Sequence, residues 1–587
     1  MNTRSFFSIP TKKEIDSINK DKLNKTALLI LGFVFAFHLA LRLYAISAIP
    51  PITDEPDDIF TISYDFSELG TFFNDAYAPD QSRLPFFISV PFLRLFSDKD
   101  SIVPLRILFL AFYFAYIWIS YKLIFLVTRS TRTALLYALL LLFSCYLAGF
   151  SIFAISTAGS LYLLFHIMAI YFFWKSVCHE SEHGAFKGVA WLSVLIGLCT
   201  ASKLFGVLLL PAFMAFHGFK NKGKCIYLEG EKTVRLLAAD SAFLICLVAV
   251  NIAPLSPALK LIIALVLSVM FWMWLAYLLK WAKKKDPDVH KTGLWRLWLV
   301  ICLTAFCATV TFSPIYLNLS NIFHCVNWFG EWSAGSFVEK HGVFDIPMIM
   351  VIKYGLISSA ILLAVLVTQL RTLRTSGERF GLLIGLVFLV QFIVISSVRF
   401  VVTWYPLAIF PFLYLPIVFF YDQAQKEGSA RIKKISLIIL FVIFLDNAGR
   451  YFYWYPYAHF DGGQYGKEHI GWNKSAMVSF EWFPQITSFF QSLEPSKEYT
   501  VNVQVIYVPN YNSWTVQLLR NELRSIEKNN ISLIESPPDQ NTNCNFVLSS
   551  PIGNPELEGK LESLGYKKIK MISLKKIDII SIWENQR

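Results

Sequence analysis

The chain has 587 residues, 55% of them hydrophobic and 16% charged, with mean hydropathy +0.51 and a net charge of +12. Ordinary globular domains carry about 25% charged residues, so the composition excludes a water-soluble protein, and apolar runs of about 18 to 25 residues read as membrane spans. The positive balance does not indicate nucleic acid, because the basic residues gather in short loops between those runs ("TRSTRT", "HGFKNKGK", "KWAKKKDPDVHK", "RTLRTSGER" and "RIKK"), where they act as topology signals.

The N-terminal "TKKEIDSINKDKLNK" is basic and polar. The run after it is too long for a signal-peptide core and lacks a small-residue cleavage site, so it reads as a retained span. Spans are expected near 27–48, 104–127, 134–150, 152–174, 188–202, 204–219, 236–253, 258–280, 296–312, 347–370, 380–398, 402–421 and 435–452, about thirteen at the usual crossing length. With the N-terminus cytoplasmic, alternation puts every strongly basic loop on the cytoplasmic side. Residues 49–103, residues 313–346 and the tail from 453 then lie on the outer side of a multi-pass plasma membrane, with a bacterial inner membrane as the expected setting. A cysteine placed at Ser549 is accordingly expected to label from outside.

The tail differs in character. Strand-like runs ("YTVNVQVIYV", "CNFVLSS", "IDIISIW") alternate with helical ones ("WTVQLLRNELRSIEKN", "PELEGKLESLGY"), the pattern of a small α/β domain. The expected fold class is therefore mainly α, a polytopic membrane protein over 1–452 followed by an extracytoplasmic α/β domain over 453–587. The nine cysteines fit neither a zinc pattern nor a disulfide framework. Cys325 and Cys544 are the two placed wholly outside, where a disulfide between them competes with chance placement.

Four carboxylates, Asp54, Glu55, Asp57 and Asp58, follow directly on the first span in "PITDEPDDIF". Pro56 suits a first helical position, with Glu55 as cap and Asp57 and Asp58 in the first turn, so those two are better read as a helix start. That reading leaves Asp54 unexplained, at the point where the span leaves the membrane. Several cations occupy the side they should avoid: Arg83 in "DQSRLPFF", Lys203 in "TASKLFG", Lys340 and His341 in "VEKHG", Lys353 in "MIMVIKYG" and Arg399 in "SSVRFVVTWYP". Each alone could snorkel to headgroups. Together with the acids they suit a pocket that holds an anionic group, such as a lipid phosphate, beside a carboxylate base. Trp328, Trp332, Trp404 and Tyr405 near the outer face read mostly as interfacial belt residues.

In order along the chain, these segments resemble the GT-C glycosyltransferases, in the branch of the protein O-mannosyltransferases and the lipid A aminoarabinose transferase. The Asp-Glu pair after the first span, the "SRLPFF" helix, "TASKLFGVLLLPAF", "VEKHGVFDIPMIMVIKYG" and "RFVVTWYPLAIFPFLYL" carry the resemblance across residues 27 to 420. It implies a GT-C fold, a sugar donor on polyprenyl phosphate and an acceptor hydroxyl on a lipid A, lipopolysaccharide or protein acceptor. Carried onto this chain, Asp54 would be the base and Glu55 its support. Arg83, Lys203 and Arg399 would hold the donor phosphate, and His341, Lys353 and Tyr405 would line the pocket. Many relatives have an acid in the fourth span, where this chain has Thr157, Ala158 and Gly159, which leaves the donor sugar open.

The chemistry is consistent with these residue types. Transfer from a phospholipid needs a base at the acceptor oxygen and positive charge on the departing phosphate. A single carboxylate on one face implies one displacement with inversion. No nucleotide fingerprint is present, and no cofactor is expected. A divalent metal on the acid cluster with His324 or His341 is the minor alternative. A transporter or flippase of lipid-linked sugars is the competing class, disfavoured because the charges gather at the outer interface rather than mid-membrane. Expected partners are the donor, the acceptor and membrane lipids, with a monomeric protein.

Overall fold

The computed structural model describes residues 25–48, 103–144, 159–175, 185–221, 226–281, 289–292, 294–317, 357–364, 379–397, 408–453, 485–504, 528–534, 544–549, 555–574 and 577–586, with a few single positions between them (84, 85, 87–89, 147, 151 and 523). The bundle is built from α1 (Lys25–Ala48), α2 (Val103–Thr128), α3 (Thr131–Leu142), α4 (Ser160–Phe173), α5 (Ala185–Ser202), α6 (Leu209–Asn221), α7 (Gly230–Ile252), α8 (Pro257–Trp281), α9 (Leu294–Phe312), α10 (Arg379–Ser397), α11 (Leu415–Glu427) and α12 (Ala430–Tyr453). Among the described residues, Val103–Thr128, Thr233–Ile252 and Ala430–Phe452 are long and apolar enough to cross a membrane on their own, and shorter apolar helices surround them.

The helix boundaries follow the apolar runs, with informative departures. The third expected span, 134–150, ends as a helix at Leu142, where Phe143 forms the last turn. The fourth, expected from 152, starts as a helix at Ser160, after an extended Gly159. In both places the residues between the helices (Ser144, Ser151, Gly159) supply polar side chains or freedom from Cβ, which favour a turn over continued helix. The helices close on one another through small residues. A Cβ on Gly197 of α5 would fall 2.6 Å from the Ala308 Cβ of α9, so these two helices meet backbone to backbone, as is common where apolar lipid supplies no drive to associate.

Several buried polar groups in the bundle are paired across helices. Thr304 Oγ1 of α9 donates to Asp240 Oδ2 of α7 at 2.6 Å. Thr133 of α3 donates to Asp422 Oδ1 of α11 at 2.8 Å, while Lys426 reaches Asp422 Oδ2 at 2.7 Å. Two of the loops read as basic contribute a short antiparallel ladder, β1 (Ile226–Glu229) on β2 (Val289–Thr292).

The tail forms a five-stranded sheet in the order β4-β3-β5-β7-β6, from β3 (Tyr499–Gln504), β4 (Ile531–Ile534), β5 (Phe546–Ser549), β6 (Tyr566–Leu574) and β7 (Ile577–Asn585), with the helix α13 (Pro555–Ser563) between β5 and β6. β3 runs parallel to β4 and β5, and β7 is antiparallel to β5 and β6. The parallel pairs require crossover connections. Its core, around Val501, Val503, Phe546, Leu548 and Ile582, is separate from that of the bundle. One expectation for the tail needs correction. Ser549 is fully buried and accepts a 2.8 Å hydrogen bond from Trp583 Nε1, so it is the wrong place for a surface label, whereas Ser563 is exposed. Cys544 is a free, buried thiol with its sulfur 3.0 Å from the Tyr566 hydroxyl, and Cys325 lies outside the described residues.

Candidate functional site

Of the residues singled out from the sequence, Asp54, Glu55, Asp57, Asp58, Arg83, His324, Lys340, His341, Lys353, Arg399 and Tyr405 lie outside the described residues. Lys203 lies within them, and the local chain explains its position. α5 ends at Ser202, and Lys203 turns extended (φ −160°, ψ 131°) before a short 3-10 turn over Leu204–Leu208. Its N–H still donates to Cys199 O at 2.9 Å, and Gly206 N–H donates back to Lys203 O at 2.8 Å. Gly206 is required there: an added Cβ would sit 2.5 Å from backbone atoms of Cys199 and Thr200. The break therefore turns the lysine inward. Lys203 is 8% exposed, with Nζ 5.7 Å from the centre of the Tyr162 ring and 5.5 Å from that of Phe205. Both distances fall within the cation–π range of about 6 Å.

Tyr162 belongs to the first turn of α4, and α4 is where the candidate segments meet. Leu84, the residue after Arg83, packs with Leu161 of α4 and Ala201 of α5. His166, one turn below Tyr162, has its ring centroid 5.7 Å from the Tyr162 ring and 6.0 Å from Phe412. Phe412 sits in the buried 3-10 turn Phe410–Tyr414, in the stretch "RFVVTWYPLAIFPFLYL" that begins with Arg399. His166 Nε2 is also hydrogen bonded to Gln391 Nε2 of α10 at 2.8 Å. Ser160 Oγ anchors the start of α4 on Phe109 O of α2. Three stretches far apart in sequence, those of Arg83, Lys203 and Arg399, thus each place a described residue against the first two turns of one helix.

The acidic stretch is approached from α1. Arg106 of α2 donates to Ile46 O in the last turn of α1 at 3.1 Å, eight positions before Asp54, so the end of α1 is pinned to α2. Among the described residues, no three His, Cys, Asp or Glu side chains group as metal ligands. Tyr162, Phe205, His166 and Gln391 were not picked out from the sequence. The available signal was a polar residue inside an apolar run, His166 in "SLYLLFHIMAIYFF" and Gln391 in "LLIGLVFLVQFIV".

No family model matches the chain, and no curated protein matches it in sequence. Among solved structures, the chain is similar to ArnT from Cupriavidus metallidurans in the apo state, at 12% identity and TM-score 0.46, over 95% of this chain and 98% of that one. It is similar to the same protein bound to undecaprenyl phosphate at 11% identity and TM-score 0.46, with the same coverage. It is also similar to an Archaeoglobus fulgidus oligosaccharyltransferase at 13% identity and TM-score 0.40, over 89% of this chain and 65% of that one. These are likenesses of chain path with TM-scores under 0.5, and they carry no argument about chemistry.

Proposed function

We propose that this protein is an integral-membrane glycosyltransferase of the GT-C kind. It moves a sugar from a polyprenyl-phosphate donor to an envelope hydroxyl on the outer face, with inversion. Asp54 takes the acceptor proton and Glu55 supports it. Arg83, Lys203 and Arg399 balance the charge that builds on the departing phosphate, and His341, Lys353 and Tyr405 line the pocket. The N-terminus is cytoplasmic and the 453–587 domain extracytoplasmic. The observation that supports this reading is that buried Lys203 lies beside Tyr162 in the first turn of α4, the helix on which Leu84 of the "SRLPFF" stretch and Phe412 of the "RFVVTWYPLAIFPFLYL" stretch also pack. A buried cation inside an apolar bundle is costly and is commonly kept for an anionic ligand.

The test is transfer from a synthetic polyprenyl-phosphate sugar to an envelope extract by detergent-purified protein, followed by mass spectrometry. Asp54→Asn keeps shape and hydrogen bonding but cannot accept the proton, so turnover should fall about 100- to 10,000-fold while donor affinity is retained. Asp57→Asn and Asp58→Asn should leave turnover near normal. Equal, mild losses at all four acids would reduce the cluster to a helix start. Absence of product together with exchange of the lipid-linked sugar across vesicles would replace the transferase with a transporter.

A further inference from the structure

We propose that Tyr162 and Phe205 are positioning residues whose ring faces seat the Lys203 ammonium, and that the His166–Gln391 hydrogen bond holds that seat in place. The inference builds on the reading of Lys203 as part of a donor phosphate site. An ammonium that is 8% exposed in an apolar bundle has lost most of its hydration and needs compensating interactions to stay charged. Two ring faces are among them, Tyr162 from α4 and Phe205 from the 3-10 turn that Lys203 itself begins. A ring face attracts the charge without imposing the directionality of a lone pair, which suits a cation that must later turn to an oxyanion.

Neither ring is easily displaced. Phe205 sits in a turn whose Gly206 has no room for a Cβ against Cys199 and Thr200. Tyr162 is 2% exposed, with His166 one turn below it on the same helix, bonded across to Gln391 of α10. Ser160 holds the start of that helix on α2. The seat therefore exists before any anion arrives, which avoids part of the ordering cost of binding.

The test uses full-length protein in detergent with two readouts. One is the rate at which a small amine-acylating reagent modifies Lys203, followed by peptide mass spectrometry. The other is affinity for a short-chain polyprenyl phosphate. Tyr162→Leu should speed acylation severalfold and weaken binding about five- to thirtyfold, the loss expected for a desolvated cation–π contact. Phe205→Leu should act in the same direction. Tyr162→Phe should stay within about twofold of wild type in both, since the ring face remains. In a Lys203→Met background, Tyr162→Leu should have no further effect on binding, and Gln391→Leu should reproduce a weaker form of the Tyr162→Leu pattern.

Wild-type acylation in Tyr162→Leu would overturn the proposal. So would a binding loss of the same size with and without Lys203, because the ring would then be core only. If Lys203→Met keeps full affinity while the acylation results hold, the seat stands and the phosphate role of Lys203 is what fails.

Discussion

Arg42 and Lys203 are both buried cations of the bundle, but they are held in different ways. The Arg42 guanidinium is directed to Ser151 Oγ and His38 Nδ1 at 3.0 Å, His38 O at 3.4 Å, Tyr113 OH at 3.4 Å and Leu142 O at 3.0 Å. Those five acceptors match the five N–H donors of an arginine. The Tyr113 and Tyr451 rings lie 5.1 and 5.9 Å from its carbon. The arginine thereby ties α1 to α2, to the turn after α3 and to α12. Lys203 instead lies against two ring faces at the break of a helix. Burial of a cation in a membrane protein therefore does not by itself mark a ligand site. The described contacts of the two differ in kind: five hydrogen-bond acceptors surround Arg42, and two ring faces lie beside Lys203.

The comparison can be broken first at Arg42. Arg42→Met removes the clamp and leaves its buried acceptors without donors, each costing about 1–3 kcal/mol. A total loss of roughly 3 kcal/mol or more in stability is expected, since breaking a buried charged network reaches that size. Thermal unfolding of the purified protein would measure it. A transition unchanged from wild type would mean that the network is incidental and Arg42 no better anchored than Lys203.

Lys203→Met should behave in the opposite sense. Replacing a buried charge by an apolar residue of similar length is often neutral or stabilising, so the same unfolding measurement should move by less than about 1 kcal/mol, with the loss appearing in donor affinity. A destabilisation matching that of Arg42→Met would make both cations structural.

The smallest effect is expected at Cys544, a buried group that the C-terminal sheet keeps neutral. Burial pushes its thiol pKa up, against hydrogen bonds with Tyr566 and Asn502 that lower it. A raised thiol pKa means the folded state holds the proton longer than the unfolded state. This contribution to stability is full below the unfolded thiol's pKa and is lost as pH climbs through the raised folded value. Cys544 should therefore react with a maleimide more slowly at pH 8 than a cysteine placed at the exposed Ser563. Equal rates would show that the thiol is open to solvent, contrary to its 1% exposure.

The apolar runs determined much of this protein by themselves. Long runs of Leu, Ile, Val and Phe have to be helical in hydrocarbon, because no water is present to satisfy a free backbone. The ends of α1, α2, α8 and α9 accordingly fall within two residues of the expected spans. In the tail, β3, β5, β7 and α13 were legible from alternation and helical period. β6, "YKKIKMISL", was not picked out because its lysines interrupt the apolar alternation, nor was β4, "ISLI", because it is short. The breaks at Leu142 and Gly159 were also missed, because a polar turn inside an apolar stretch leaves the mean hydropathy almost unchanged. The sequence could also nominate Lys203 as a cation on the wrong side, but not what surrounds it. Only the tertiary structure brings Tyr162 over its ammonium, Leu84 against Leu161, and Gln391 to His166 across 225 positions. Such contacts arise from the packing of helices far apart in sequence, and hydropathy and local periodicity carry no information about which helix faces which.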